Sequence, residues 1–158
     1  MQTCQILGET KMRALLWTLG LLVTLSSAAV AGPKEDALQV LEKWAKAFTD
    51  SDVDAIVKLH APDALFMGTA SKSVVVQTEG IRAYFETALL NNRPRSAKLT
   101  DSSAVVLSDT VVAVSGLDAL TGVRDGKTFG TTGRVTFVIA KRGADWQIVQ
   151  FHRSPVPN

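Results

Sequence analysis

Two kinds of hydrophobic pattern divide the chain after residue 32. From Pro33 onward, apolar residues recur three and four positions apart, as the set Ala37, Val40, Leu41, Trp44, Ala45 and Phe48. This spacing predicts an amphipathic helix. Ser51 and Asp54 resemble a capping box, which predicts a second, short helix that carries Ile56 and Leu59.

A third helix and a run of strands follow. Ile81, Phe85 and Leu89 align at helical spacing behind a predicted cap at Thr78. Short strands are predicted between the second and third helices, at 64–69 and 73–77. Beyond Ala97 the pattern changes to period two, which predicts strands at 97–101, 104–107, 111–121, 127–140 and 145–154.

This order of elements predicts one α+β domain over residues 32–158. Helices gathered on one side of an antiparallel sheet form a two-layer architecture. We expect a bent sheet wrapped around the three N-terminal helices, which would enclose a cavity. Trp44 and Trp146 are expected to lie in its core.

The first 31 residues have the pattern of a secretory signal peptide. Basic Lys11 and Arg13 precede an uncharged apolar run at 14–25, and small residues end at Ala31. The run is too short to span a bilayer, which takes about 20 residues. Met12 is the expected start, with 1–11 an upstream extension. The mature domain would be periplasmic or secreted, without a membrane anchor.

Charge and cysteine content exclude several classes of function. Cleavage would remove Cys4, together with Lys11, Arg13 and Glu9, which changes 17 basic and 15 acidic residues to 15 and 14. A nearly neutral domain has no general attraction for nucleic acid. Two histidines without a cysteine favour no zinc site, and no phosphate loop or dinucleotide motif is present, so we expect neither metal nor cofactor.

The C-terminal segment carries a specific resemblance. Asp145–Pro155, with its tryptophan and the run Phe-His-Arg-Ser, closely resembles the end of the calcium/calmodulin-dependent protein kinase II association domain. Glu79-Gly80 with residues 84–89, and the acidic turn at 51–54, are similar in the same order. That domain belongs to the nuclear transport factor 2-like (cystatin-like) superfamily, which includes polyketide-cyclase-like and ketosteroid-isomerase-like members. The resemblance implies a cone-shaped fold, a central pocket and self-association, without kinase activity.

The resemblance also implies ligand-binding residues. The family's pocket collects arginines from neighbouring strands, and this chain supplies Arg134 and Arg153, with Asp118 where the family has an arginine. We expect Arg134 and Arg153 to bind a small organic acid, because a planar guanidinium suits a carboxylate. Tyr84 and Asp118 would also line the site. The alternatives for Arg134 are a structural pair with Asp118 or an exposed strand face.

Three functions therefore stay open. The leading one is a small-molecule-binding, homo-oligomeric domain, of which the protein itself and a small acid are the expected partners. The second is an isomerase- or cyclase-like enzyme, or a loosely labelled oxidoreductase, using Asp118, His152 or Tyr84. A buried acid could then remove a proton beside a carbonyl group. The third is a purely structural oligomerisation module.

Export is directly testable. N-terminal sequencing of protein from a periplasmic or culture fraction should begin at Gly32, because the small residues before it fit the cleavage site. Finding the intact Met12 end in the cytoplasm would contradict the signal peptide.

Overall fold

A computed structural model describes residues 32–90, 93 and 95–157 of the chain. It contains three helices, α1 (Pro33–Asp50), α2 (Val53–Leu59) and α3 (Thr78–Leu89). The predicted signal peptide lies outside the described residues. Within the described part, no helix is long and apolar enough to cross a membrane.

The three predicted helices are confirmed, but two of their predicted caps are wrong. Ser51 ends α1 in the left-handed conformation, with φ of 58°, and its N–H donates to carbonyls of the last turn. The cap of α2 is Asp52, whose side chain accepts a hydrogen bond of 2.9 Å from the N–H of Ala55. Thr78 is the first residue of α3 and follows Gln77, which makes no side-chain cap. Ser51 is thus unable to cap α2, because it already closes α1.

Five strands form one sheet in the order β1-β5-β4-β3-β2. They are β1 (His60–Met67), β2 (Ser96–Ser108), β3 (Val111–Arg124), β4 (Lys127–Arg142) and β5 (Asp145–Pro155). Strands β2 to β5 are antiparallel, whereas β1 joins β5 in parallel. The two strands predicted at 97–101 and 104–107 are one strand, whose register shifts between Leu99 and Asp101. The strand predicted at 73–77 is reduced to a single bridge between Val75 and Phe66.

The helices pack on the inner face of the sheet, which carries buried residues such as Val112, Val114 and Val135. Trp44 of α1 is the centre of an aromatic cluster. Its ring lies 5.4 Å from Phe137 and 5.6 Å from Phe151, between ring centroids. Trp44 therefore lies in the core as predicted. Trp146 is only partly buried, and its indole N–H donates to Asp36 over 3.0 Å, which ties β5 to α1.

His60 is a buried polar residue where α2 meets β1. It is 5% exposed, and its Nδ1 lies 2.8 Å from the carbonyl oxygen of Ile56, to which it donates when neutral. The rings of Phe66 and Phe85 lie about 6 Å away. Burial lowers the pKa of His60 to about 4, against the small opposing effect of the Ile56 hydrogen bond. The folded domain therefore holds His60 neutral.

Acidification should destabilise the domain, because His60 is buried in its neutral form. Between pH 6.5 and 4, His60 binds a proton in the unfolded chain but not in the folded chain. The free energy of unfolding therefore decreases as the pH falls. The full loss, reached below pH 4, is about 3 kcal/mol. Urea unfolding across this range should show a flatter pH profile for His60→Gln than for the wild type. Equal profiles for the wild type and His60→Gln would contradict the assignment.

Candidate functional site

A pocket of about 470 Å³ lies between helices α1 and α3 and strands β3, β4 and β5. This volume is typical of small-molecule sites, which measure roughly 300–1,000 Å³. Six aromatic residues line it: Trp44, Phe48, Tyr84, Phe85, Phe129 and Phe151. Three arginines from different elements also line it: Arg95, Arg124 and Arg153.

Arg153 lines this pocket and is largely buried, and it forms an ion pair with Asp118. Its Nε and Nη2 each donate to one carboxylate oxygen of Asp118, both over 2.7 Å. Nη1 donates to the hydroxyl of Thr69 over 2.8 Å, and Nη2 also lies 3.4 Å from the hydroxyl of Thr131. Arg153 is 8% exposed and Asp118 4%. The two opposite charges therefore neutralise each other away from water.

The ion pair depends on a glycine in the strand between its partners. Arg153 lies on β5 and Asp118 on β3, so the guanidinium must cross β4. It crosses over Gly133, which is paired with Asp118; a Cβ at Gly133 would lie 2.6 Å from the guanidinium carbon. Glycine in a strand interior often marks such a close approach. Because glycine has no side chain, the side chain of Arg153 can cross β4 at Gly133.

Arg95 and Arg124 also line the pocket, and Arg124 lies six residues beyond Asp118 along β3. The guanidinium of Arg95 stacks 5.1 Å from the ring centroid of Phe48 and donates to the carbonyl oxygen of Ala88 over 2.7 Å. That of Arg124 stacks 5.1 Å from Phe129. Burial, and then the positive charges of Arg93 and Arg124, lower the pKa of Arg95. Two guanidinium groups, each stacked on an aromatic ring, therefore line this part of the pocket.

Tyr84 lines the pocket. Its ring packs 4.8 Å from that of Phe66 and 5.3 Å from that of Phe85. The hydroxyl reaches Gly68, where an added Cβ would lie 2.3 Å from the phenolic oxygen. Gly68 thus leaves the space in which the end of the tyrosine ring fits.

The prediction that Arg134 shares the pocket with Arg153 is wrong. Arg134 is exposed and pairs with Ser154, whereas Arg153 pairs with Val135. Because side chains alternate along a strand, Arg134 points to the outer face of the sheet. His152 lies on that outer face too, opposite Thr136 and beside Met67. The partner of Asp118 is Arg153 rather than Arg134.

The three predicted catalytic residues are not brought together. Tyr84 lines the pocket, Asp118 lies behind the guanidinium of Arg153, and His152 is on the outer face. Among the described residues that line the pocket, none is aspartate, glutamate or histidine. The described residues also include no cluster of three acidic, histidine or cysteine side chains that could bind a metal ion.

Sequence reasoning missed Arg95 and Arg124. Arg95 follows α3 just before β2, and Arg124 ends β3 beside the Asp125-Gly126 turn. Arg95 lies outside any strand, and the strand predicted at 111–121 ended before Arg124, so neither residue was assigned to the pocket. Two glycines, Gly130 and Gly133, fall in the predicted strand 127–140, and a glycine inside a strand often marks a close approach such as the one at Gly133.

The buried ion pair makes a sharp prediction about stability. Asp118→Asn leaves the shape of the side chain but strands the charge of Arg153, which should cost roughly 3–5 kcal/mol of the free energy of unfolding. Adding Arg153→Met should recover part of that loss. Asp54→Asn, at the exposed pair in which Arg82 lies 2.6 Å away, is the matched control and should cost about 1 kcal/mol or less. Equal denaturant midpoints for Asp118→Asn and the control would contradict the burial of the pair.

Solved structures similar to this chain share its fold. A Xanthomonas campestris protein assigned as a calcium/calmodulin-dependent protein kinase II association domain is 26% identical, with a TM-score of 0.73, over 78% of this chain and 88% of its own. A nuclear transport factor 2-like superfamily protein from Salmonella enterica is 21% identical, with a TM-score of 0.72, over 80% and 92%. A ketosteroid isomerase-like protein from Erwinia carotovora is 14% identical, with a TM-score of 0.66, over 79% and 97%.

These similarities confirm the α+β, nuclear transport factor 2-like architecture and the predicted resemblance to the kinase association domain. None of the curated proteins matches the chain at a significant level. The family model of the SnoaL-like domain matches residues 37–158, which include every described helix and strand except the first turn of α1. The chain therefore belongs to the SnoaL-like domain family.

Proposed function

We propose that this domain binds a small organic acid in its central pocket. The observation that carries the proposal is the lining: three guanidinium groups, one of them paired with Asp118, and six aromatic side chains, with no acidic residue among the described lining residues. Charges in such a cavity act at a lower effective dielectric than in water, so a carboxylate there is strongly stabilised. Together with the signal peptide that the sequence predicts, this leads us to propose that binding occurs outside the cytoplasm.

An isomerase- or cyclase-like activity is the alternative, and the pocket supports it less well. Proton abstraction needs a base within hydrogen-bond reach of the substrate. Asp118 accepts two hydrogen bonds from Arg153, and His152 lies on the other side of the sheet. Tyr84 remains as a donor that could polarise a carbonyl group, but the described lining residues supply no carboxylate or imidazole to act with it.

Self-association is the second part of the proposal. The outer face of the sheet has no described helix against it, and one row across it reads Val105, Ala113, Val138, Gln150 and Leu65. Val105 is 58% exposed and Leu117, on the same face, 40%. Contiguous exposed apolar surface marks interaction sites. The similar Xanthomonas protein is assigned as an association domain, which favours a second copy of this chain as the partner.

Acid binding predicts selective thermal stabilisation. A carboxylic acid at a hundredfold its Kd should stabilise the protein by about 2.7 kcal/mol, which raises the melting temperature by several degrees. The matched primary amide of each acid should give a smaller rise, because it has the same shape without the charge. Thermal shift assays over a panel of such acid and amide pairs test this. If no acid shifts the melting temperature, the binding proposal fails.

Self-association predicts a twofold dimer at micromolar concentration. Light scattering should give at least twice the monomer mass for the wild type, and Leu117→Lys should reduce it, because a lysine on the outer face would bury an unpaired charge. Val76→Lys, at an exposed position in the segment before α3, is the control and should leave the mass unchanged. A wild-type monomer, or dissociation by Val76→Lys alone, would contradict the outer face as the interface.

A further inference from the structure

One row across the outer face of the sheet carries two opposite charges on either side of a leucine. Asp101 of β2 pairs with Leu117 of β3, and Leu117 pairs with Arg134 of β4. Side chains of directly paired residues lie on the same face of a sheet, so these three share the outer face. All three are exposed. We call this set the charged row.

The two charges of the charged row are not used within the described part of the chain. None of the ion pairs among the described residues involves Asp101 or Arg134. Neighbouring strands lie about 4.8 Å apart, so β2 and β4 are separated by roughly 10 Å. Leu117 lies between the two charged residues on the intervening strand. Each charge is therefore available to a second molecule.

The charged row is self-complementary about Leu117. When two sheets pack face to face with their strands aligned, a twofold axis can run parallel to the strands. An axis along β3 places β3 opposite its own copy, and β2 of one copy opposite β4 of the other. Leu117 then meets Leu117 of the second copy, and on both sides of this contact Asp101 of one copy meets Arg134 of the other.

Charge distinguishes this axis from the neighbouring ones. An axis along β4 would bring the two copies of Arg134 together, and an axis along β2 would bring the two copies of Asp101 together. Like charges that face each other across an interface oppose association. Among these three axes, only the one along β3 joins opposite charges.

The neighbouring rows of the outer face suit the same axis. Val105 and Val138 lie on either side of Ala113, so an axis along β3 would bring the valines of the two copies together. In the row between this one and the charged row, the residues on β2 and β4 are Ser103 and Thr136. Apolar groups would thus meet apolar groups, and hydroxyl groups would meet hydroxyl groups.

We propose that two copies of this domain associate through the outer faces of their sheets about a twofold axis along β3, with two ion pairs between Asp101 of one copy and Arg134 of the other. This inference rests on the self-association proposed above and adds the axis and the contacts. It also gives a role to Arg134, which was expected in the pocket from the sequence and lies on the outer face.

Reversing one charge at a time tests the ion pairs. Arg134→Asp should raise the Kd of self-association at least about tenfold, because each of the two contacts would then join two carboxylates. Asp101→Arg should have the same effect by joining two guanidinium groups. Lys43→Asp is the matched control, because Lys43 is exposed on α1, on the other side of the sheet, and should leave the Kd unchanged. Sedimentation equilibrium measures each value.

An equimolar mixture of the two single variants is the decisive sample. In a mixed dimer, both positions are acidic in one copy and basic in the other, so every contact again joins opposite charges. Association should return to within about threefold of the wild-type Kd. The double variant Asp101→Arg with Arg134→Asp should recover in the same way. Substitutions that acted by unfolding the domain would give neither recovery.

The outcomes separate the ion pairs from the self-association beneath them. If the wild type is a monomer, self-association itself fails, and this inference with it. If the wild type associates and neither single variant weakens it, self-association stands and the axis along β3 is wrong. Weakening by both single variants without recovery in the mixture would also overturn the pairing, as would an equal loss in Lys43→Asp.

Discussion

The register of β3, β4 and β5 beside the pocket depends on the buried ion pair between Arg153 and Asp118. Removing two charges from water costs several kcal/mol for each ion, and only close, multiple hydrogen bonds offset that cost. The pair satisfies this requirement with two bonds of 2.7 Å and further contacts to threonine hydroxyls. Because its partners lie on β5 and β3, three strands must keep one register. A slip of one residue would turn Arg153 to the outer face.

The same pair decides how charge is distributed in the pocket. An arginine that is neutralised within the protein no longer attracts an anion strongly, although it can still donate a hydrogen bond. Arg95 and Arg124 line the same pocket and stack on Phe48 and Phe129 instead of pairing with Asp118. Arginines with different neighbours thus line one cavity, and those neighbours, rather than the residue type, decide what each arginine can bind.

Much of the fold could be predicted from the sequence, because hydrophobic periodicity reports which face of an element is buried. The stripe through Trp44 and the alternation in 127–140 defined α1 and β4 correctly. Periodicity does not reveal which strands are neighbours, so the parallel pairing of β1 with β5 was not foreseen. The error at Arg134 has the same origin. Arg134 and Arg153 lie on adjacent strands, but the pairing of Arg153 with Val135 puts them on opposite faces.

The position of β5 has a consequence for how the domain assembles. β5 comes last in the chain, yet it lies inside the sheet, between β1 and β4. It carries Phe151, which stacks on Phe66 of β1 at 5.0 Å, as well as Arg153. β1 therefore cannot pair with its neighbour in the sheet until the C-terminal segment has been synthesised, although α1 can already pack on β2, β3 and β4. Such contacts between distant parts of a chain form slowly. The core around Phe66 and Phe151 is therefore completed only when the last strand of the domain is available.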